Sequence, residues 1–177
     1  MDKKRPSKKR YYLGIAKQVA QRSTCLSIKG GAVIVNNDSI ISTGYIGAPR
    51  GTKDCFERGN CLRRKLNIPH GERYELCRSV HAEQNAIINA ARSGVSTLNG
   101  DMFLYAEREQ GKPINFFPCF ICKKMVINAG LKKVVCSLES GDFKIFKVSD
   151  WIKGWQKKDM LDDQYKYGDD QNKKNEK

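Results

Sequence analysis

"RSVHAEQNAIINAARSG", residues 78–94, is the stretch from which the rest of the chain is read. Its apolar residues recur at helical spacing, and Gly94 supplies the glycine that commonly ends a helix. The pattern predicts one amphipathic helix with His81 and Glu83 crowded into its first turn. The chain holds only two histidines, so one of them stands at a helix start beside a carboxylate. Some three dozen residues on, "FPCFICKKMVINAG" (117–130) repeats the arrangement. Pro118 is expected at the first helical position, where a missing N–H does no harm. Cys119 and Cys122 then share one helix face, and Gly130 is the stop.

Working outward, Tyr12, Ile15, Ala16, Val19 and Ala20 follow helical spacing and predict a first helix. "AVIVNNDSIISTGY" (32–45) is two β-rich runs joined by Asn36, Asn37 and Asp38, a hairpin. A long irregular segment from Ile46 to Ser79 carries three cysteines and His70. Such loops inside compact domains are usually functional or tied down. "DMFLYAE" (101–107) and "KKVVCSL" (132–138) read as strands, with a polar turn at Gln110–Gly111. "VSDWIKGW" (148–155) reads as a short closing helix capped by Ser149 or Asp150. Helices alternating with strands after a hairpin predict an α/β fold, a mixed sheet with helices on both faces. Residues 1–10 are expected to be a disordered basic arm, 11–155 one domain and 156–177 a polar tail.

Composition limits the partners. No run approaches the roughly 18 to 20 apolar residues of a membrane span. The basic N-terminus lacks the apolar core of a secretory signal, so a reducing, cytoplasmic setting is expected. Seven cysteines, an odd number with no export signal, favour metal ligation and free thiols over a disulfide scaffold. The net charge is +14, of which the first ten residues carry about +5 and the tail from Gln156 none. The remaining +9 suits an anionic substrate, loose polyanion affinity or a merely solvated face.

Zinc prefers nitrogen and sulfur ligands in a tetrahedron, and a catalytic site leaves the fourth position to water. His81, Cys119 and Cys122 offer such a set, and both sulfurs sit where a helix start favours thiolates. Glu83, two residues past His81, should lie beside the metal rather than on it, as a proton carrier must. A His-x-Glu alone is ordinary surface chemistry, and a C-x-x-C alone is redox or structural. Together, at two helix starts with a strand between, they form the H-x-E…P-C-x-x-C signature of zinc nucleobase deaminases.

"SVHAEQNAI" (79–87) with "PCFIC" (118–122) resembles the deoxycytidylate (dCMP) deaminase branch of the zinc-dependent cytidine deaminase superfamily. "RSTC" (22–25), "GAVIV" (31–35) and "IISTGY" (40–45) extend the resemblance over roughly residues 11–150. It implies a three-layer α/β/α sandwich around a five-stranded mixed sheet. It also implies hydrolysis of dCMP to dUMP and ammonia, with zinc on His81, Cys119 and Cys122. Glu83 would carry the proton, and the Ala82 N–H would bind the base carbonyl. A homo-oligomer, up to a hexamer, is implied as well. Two rivals stand beside this reading: a deaminase of single-stranded DNA or tRNA, and a zinc-stabilised nucleotide-binding module with weakened turnover.

Some members of the branch carry a second, structural zinc, for which Cys25, Cys55, Cys61 and Cys77 are the candidates. Free thiols are the alternative there, and His70 could replace one cysteine. Cys136, alone in an apolar strand, reads as core. Substrate contacts are expected from Tyr45, from Arg50 and Lys53 just after the second strand, and from Phe117. Phe116 and Phe117 could wall the pyrimidine or simply fill the core. Where the branch usually has Asn in its G-Y-N-G turn, this chain has Ile46, and Gly30 stands where valine is common. That turn contributes nucleotide and effector (dCTP, dTTP) contacts in the family, so isoleucine puts regulation in question.

Overall fold

The structure, a computed structural model, describes residues 5–69, 71–108 and 111–158. His70, the turn residue Gln110, the first four residues and the tail from 159 lie outside the described residues.

The hairpin organises one half of the sheet. β1 (Lys29–Asn36) and β2 (Ser39–Tyr45) pair antiparallel around Asn37 and Asp38, which take φ of 46° and 62°. Two consecutive left-handed residues make the tight turn whose twist matches that of paired strands, and Asn and Asp tolerate it best. Along β1 the side chains alternate. Ala32 and Ile34 enter one core, whereas Val33 and Val35 enter another on the opposite face.

α1 (Lys8–Ala20) covers the second core with Tyr12, Leu13, Ala16 and Ala20. It begins inside the segment expected to be a disordered arm, because Ser7 caps it and accepts from the Arg10 N–H. The phenol of Tyr12 donates to Asp38 and Lys8 pairs with the same carboxylate at 2.5 Å, latching the helix to the hairpin turn.

The other core lies under α3 (Ala82–Arg92), α4 (Phe120–Asn128) and α5 (Val148–Lys157). β3 (Asp101–Glu107), β4 (Lys133–Ser137) and β5 (Phe143–Lys147) complete a sheet of order β2-β1-β3-β4-β5. Only β3 and β4 pair in parallel; the other three pairings are antiparallel. The expected three-layer α/β/α sandwich with a five-stranded mixed sheet is therefore present. Cys136 is fully buried in it, as read from its apolar strand.

Several boundaries differ from expectation. α3 starts at Ala82, so residues 78–81 are not helical. α4 starts at Phe120 with Cys119 as its cap, placing Pro118 before the helix rather than in its first turn. α5 follows β5 without a linker, capped by Lys147 rather than Ser149 or Asp150, and extends to Lys157, inside the expected tail. The long loop contains a short helix, α2 (Leu62–Lys65), and one 3-10 turn at Tyr74–Leu76. Among the described residues no helix is long and apolar enough to cross a membrane.

Candidate metal centre

The topology gathers the ligands. β1 is antiparallel to both β2 and β3, so β2 and β3 run in the same direction. α3 follows β2 and α4 follows β3 on the same face of the sheet, so both helices begin at one end of it. Both also stop alike. Gly94 and Gly130 take φ of 66° and 68°, with N–H bonds back to Ala91 and Ile127 that close each last turn.

α3 is held tightly against β2. Ser42 donates to the Ala86 carbonyl at 2.6 Å, while Asn85 and Asn89 donate to the carbonyls of Tyr45 and Thr43. At Gly44 even a Cβ would stand 2.2 Å from the Ala86 nitrogen, so only glycine permits this approach. These contacts fix where α3 begins, and hence where His81 points.

His81 caps α3 and Cys119 caps α4, with Cys122 three positions into the latter. His81 Nδ1 lies 3.5 Å from the sulfur of Cys119 and 3.3 Å from that of Cys122. A tetrahedral ion at about 2.0–2.1 Å from nitrogen and about 2.3 Å from sulfur sets N···S separations near 3.6 Å. The three residues therefore fit zinc. Among the described residues they are the only His, Cys, Asp and Glu trio with ligand atoms within 4.8 Å of one another.

Glu83 sits beside the trio, 1% exposed, and its Oε2 has no hydrogen-bond partner. Burial pushes its carboxyl above the usual carboxylate range, against the pull of His81. At His81 burial opposes the charged ring, but the hydrogen bond to Cys119 and the charge of Glu83 outweigh it and raise its pKa. The hydrogen bond from Cys122 pulls the Cys119 thiol far below its ordinary value, and the same bond holds the proton on Cys122. A buried acceptor with a free lone pair, next to a nitrogen-and-sulfur ligand set, can receive a proton from a molecule entering the site. Ala82 opens α3, so its N–H has no carbonyl one turn earlier to bond.

The remaining expected residues are more scattered. Cys25, Cys55, Cys61 and Cys77 approach closely enough that Cys25 and Cys61 help raise the thiols of both Cys55 and Cys77, where burial is the larger cause. No three of their sulfurs draw together as the ligand atoms of His81, Cys119 and Cys122 do. Arg50 reaches α3 and donates to the Asn89 side chain at 2.6 Å, and Lys53 is exposed. Phe117 is 41% exposed and edge-on to Phe146, whereas Phe116 packs against the core. Tyr45 turns its ring toward Gly47. Ile46 is buried and packs into the space that Gly30 leaves open, so its side chain belongs to the core. One neighbour of the centre had no signal in the sequence: Tyr74, whose ring meets that of His81 at 4.8 Å and 85°.

Comparison with known proteins agrees with this geometry. The family described as "Cytidine and deoxycytidylate deaminase zinc-binding region" matches residues 6–138. The deoxycytidylate deaminase of Mycobacterium phage D29 is 36% identical over 77% of this chain and 98% of its own. That of Schizosaccharomyces pombe is 34% identical over 74% of this chain, but the chain spans only 37% of that relative's length. The apo crystal structure of the dCMP deaminase from cyanophage S-TIM5 superposes with a TM-score of 0.53 at 31% identity. That superposition covers 74% of this chain and 82% of the phage enzyme. The sheet, the paired helix starts and the matched segment converge on one conclusion: this chain belongs to the cytidine and deoxycytidylate deaminase zinc-binding family.

Proposed function

We propose that this chain is a zinc-dependent hydrolytic deaminase that converts dCMP and water to dUMP and ammonia. The observation that carries the reading is Glu83: a fully buried carboxylate with an unpartnered Oε2, beside a histidine and two cysteines at zinc spacing. His81, Cys119 and Cys122 hold the ion, which supplies the Lewis acidity that makes water nucleophilic near neutral pH. Glu83 would accept one water proton and pass it to N3 of the cytosine as the remaining hydroxide attacks C4. It would then take the proton of the new C4 hydroxyl and deliver it to the amine, which leaves as ammonia while the C4 carbonyl forms. Its burial suits that work, because a carboxyl with a raised pKa both takes and returns a proton readily. The Ala82 N–H donates to the base carbonyl. The choice of dCMP is supported by relatives and a structural neighbour with the same named activity.

Around this centre we assign Tyr45, Arg50, Lys53 and Phe117 to the substrate. Phe117 offers an exposed ring face for stacking, and Arg50 would exchange Asn89 for a phosphate. Cys25, Cys55, Cys61 and Cys77 are assigned to a second, structural zinc that draws their sulfurs together. We further assign the protein to the cytoplasm, as a homo-oligomer of up to six subunits. Light scattering gives the assembly size, and two zinc ions per chain against one decides the second site.

The deciding experiment measures ammonia release from CMP, dCMP, dCTP, cytidine, single-stranded DNA and tRNA, with zinc counted in the same sample. Fastest release from dCMP is expected. Faster release from either polynucleotide would make this a nucleic-acid deaminase, and zinc with no ammonia from any of them would make it a binding module.

A further inference from the structure

The loop between β2 and α3 holds a stack of three side chains that ends on the metal centre. Arg63, in α2, donates from Nη2 to the carbonyls of Pro69 and Glu72, each at 2.6 Å, and so ties the loop back on itself. Its guanidinium carbon also lies 4.9 Å from the centroid of the Tyr74 ring. Tyr74 in turn meets the His81 imidazole edge-to-face, with centroids 4.8 Å apart. To bring Tyr74 there, the chain passes through Arg73 with φ and ψ of 47°, a left-handed conformation unfavourable for a residue other than glycine. Local strain at that point has a purpose if the ring's placement matters.

A metal-bound histidine usually donates its second ring N–H to a carboxylate or carbonyl, which fixes the orientation of the ring. Among the described residues, the His81 side chain meets the two sulfurs through Nδ1 and closes the capping box of α3 with the Gln84 backbone N–H, but it has no carboxylate or carbonyl partner. We propose that Arg63 and Tyr74 are positioning residues for the metal centre: Arg63 braces the Tyr74 ring against His81, so that Nδ1 stays aimed at the ion. This inference rests on the zinc reading above. It assigns Arg63 to the loop rather than to a substrate phosphate, since its Nη2 already serves two loop carbonyls and its guanidinium lies against the Tyr74 ring.

The test uses the full-length, zinc-loaded protein and its Tyr74→Leu, Tyr74→Phe, Arg63→Gln and Arg63→Lys variants. Zinc transfer to a chromogenic chelator is followed alongside kcat, KM and the unfolding midpoint. Tyr74→Leu and Arg63→Gln should release zinc at least about tenfold faster and lose kcat with little change in KM. Tyr74→Phe, which keeps the ring, should stay within about twofold of the parent. Arg63→Lys should release faster than the parent, because a lysine keeps the charge but not the planar fork. Cobalt substitution separates this centre from the loop cysteines, because an imidazole–thiolate ion and an all-thiolate ion absorb differently. The bands of the former should shift in Tyr74→Leu. Parental zinc release from Tyr74→Leu, or equal losses in Tyr74→Phe and Tyr74→Leu, would overturn the inference. A parent chain that takes up no zinc would instead overturn the metal reading on which it stands.

Discussion

The Cβ that Gly30 lacks would stand 2.6 Å from Cδ1 of Ile46 and 3.4 Å from Cζ of Phe116. The glycine is the socket in which the isoleucine is seated, and the two departures from the family pattern are one adjustment. Gly30→Val should destabilise by about 1–3 kcal/mol through overpacking, and Ile46→Ala by about 2–5 kcal/mol through the cavity it leaves. The double variant should cost at least about 1 kcal/mol less than the sum, since each change relieves the other. Denaturant unfolding of the four proteins measures this; strict additivity would mean the two side chains do not compete for one space.

Glu83→Ala should lower the deamination rate by at least about 10²-fold, the low end for general acid–base catalysis. Zinc content should not change, because Glu83 is not one of the three residues whose ligand atoms cluster at zinc spacing. The unfolding midpoint should hold or rise, because the variant removes a buried carboxylate oxygen with no partner. Near-normal turnover would end the role given to this residue.

Gly44→Ala should be far worse than an ordinary strand substitution. Its new methyl would lie 2.2 Å from the Ala86 nitrogen and 2.4 Å from the Ala82 oxygen, and helix backbone cannot swing aside as a side chain can. We expect a loss of at least about 1–3 kcal/mol, together with weaker zinc binding as the start of α3 is pushed off the sheet. A stable variant with parental zinc affinity would show that α3 is free to shift.

The latch between α1 and the hairpin turn should fail at both ends of the pH scale. Lys8 and then Tyr12 hold the Asp38 carboxyl below its ordinary value. Its stabilisation is therefore present above the unfolded pKa, about 3.9, and is lost as pH falls through the lower folded value. The Tyr12 phenol is pushed up to about 12, chiefly by its hydrogen bond to Asp38 and then by burial. That contribution is present below pH 10 or so and fades as pH rises toward 12. Asp38→Asn should flatten the acid side of a plot of urea midpoint against pH, whereas an unchanged acid limb would locate the sensitivity elsewhere.

What was readable in the sequence is what local rules govern. Asn37 and Asp38 announced the hairpin because few other residues adopt left-handed φ, and His81 with Cys119 and Cys122 announced the centre through spacing alone. β5 escaped notice as a separate strand for two reasons. "FKIFK" is an exposed edge, and it passes into α5 with no turn residue between them. Tyr74 escaped because an aromatic in an irregular loop belongs to no period; only the fold of the loop shows what it touches. The Pro118 expectation failed by two positions because Cys119 takes the cap position with extended backbone and the first helical residue is Phe120.

The two glycine stops at Gly94 and Gly130 lie at the opposite pole of the sheet from His81 and Cys119. The stretch 93–96 around the first stop is wholly exposed, so a fluorophore or surface tether attached at Ser96 would stand a full helix length from His81. The molecule thus comes with a natural handle for immobilisation, at the end of α3 remote from the His81, Cys119 and Cys122 cluster.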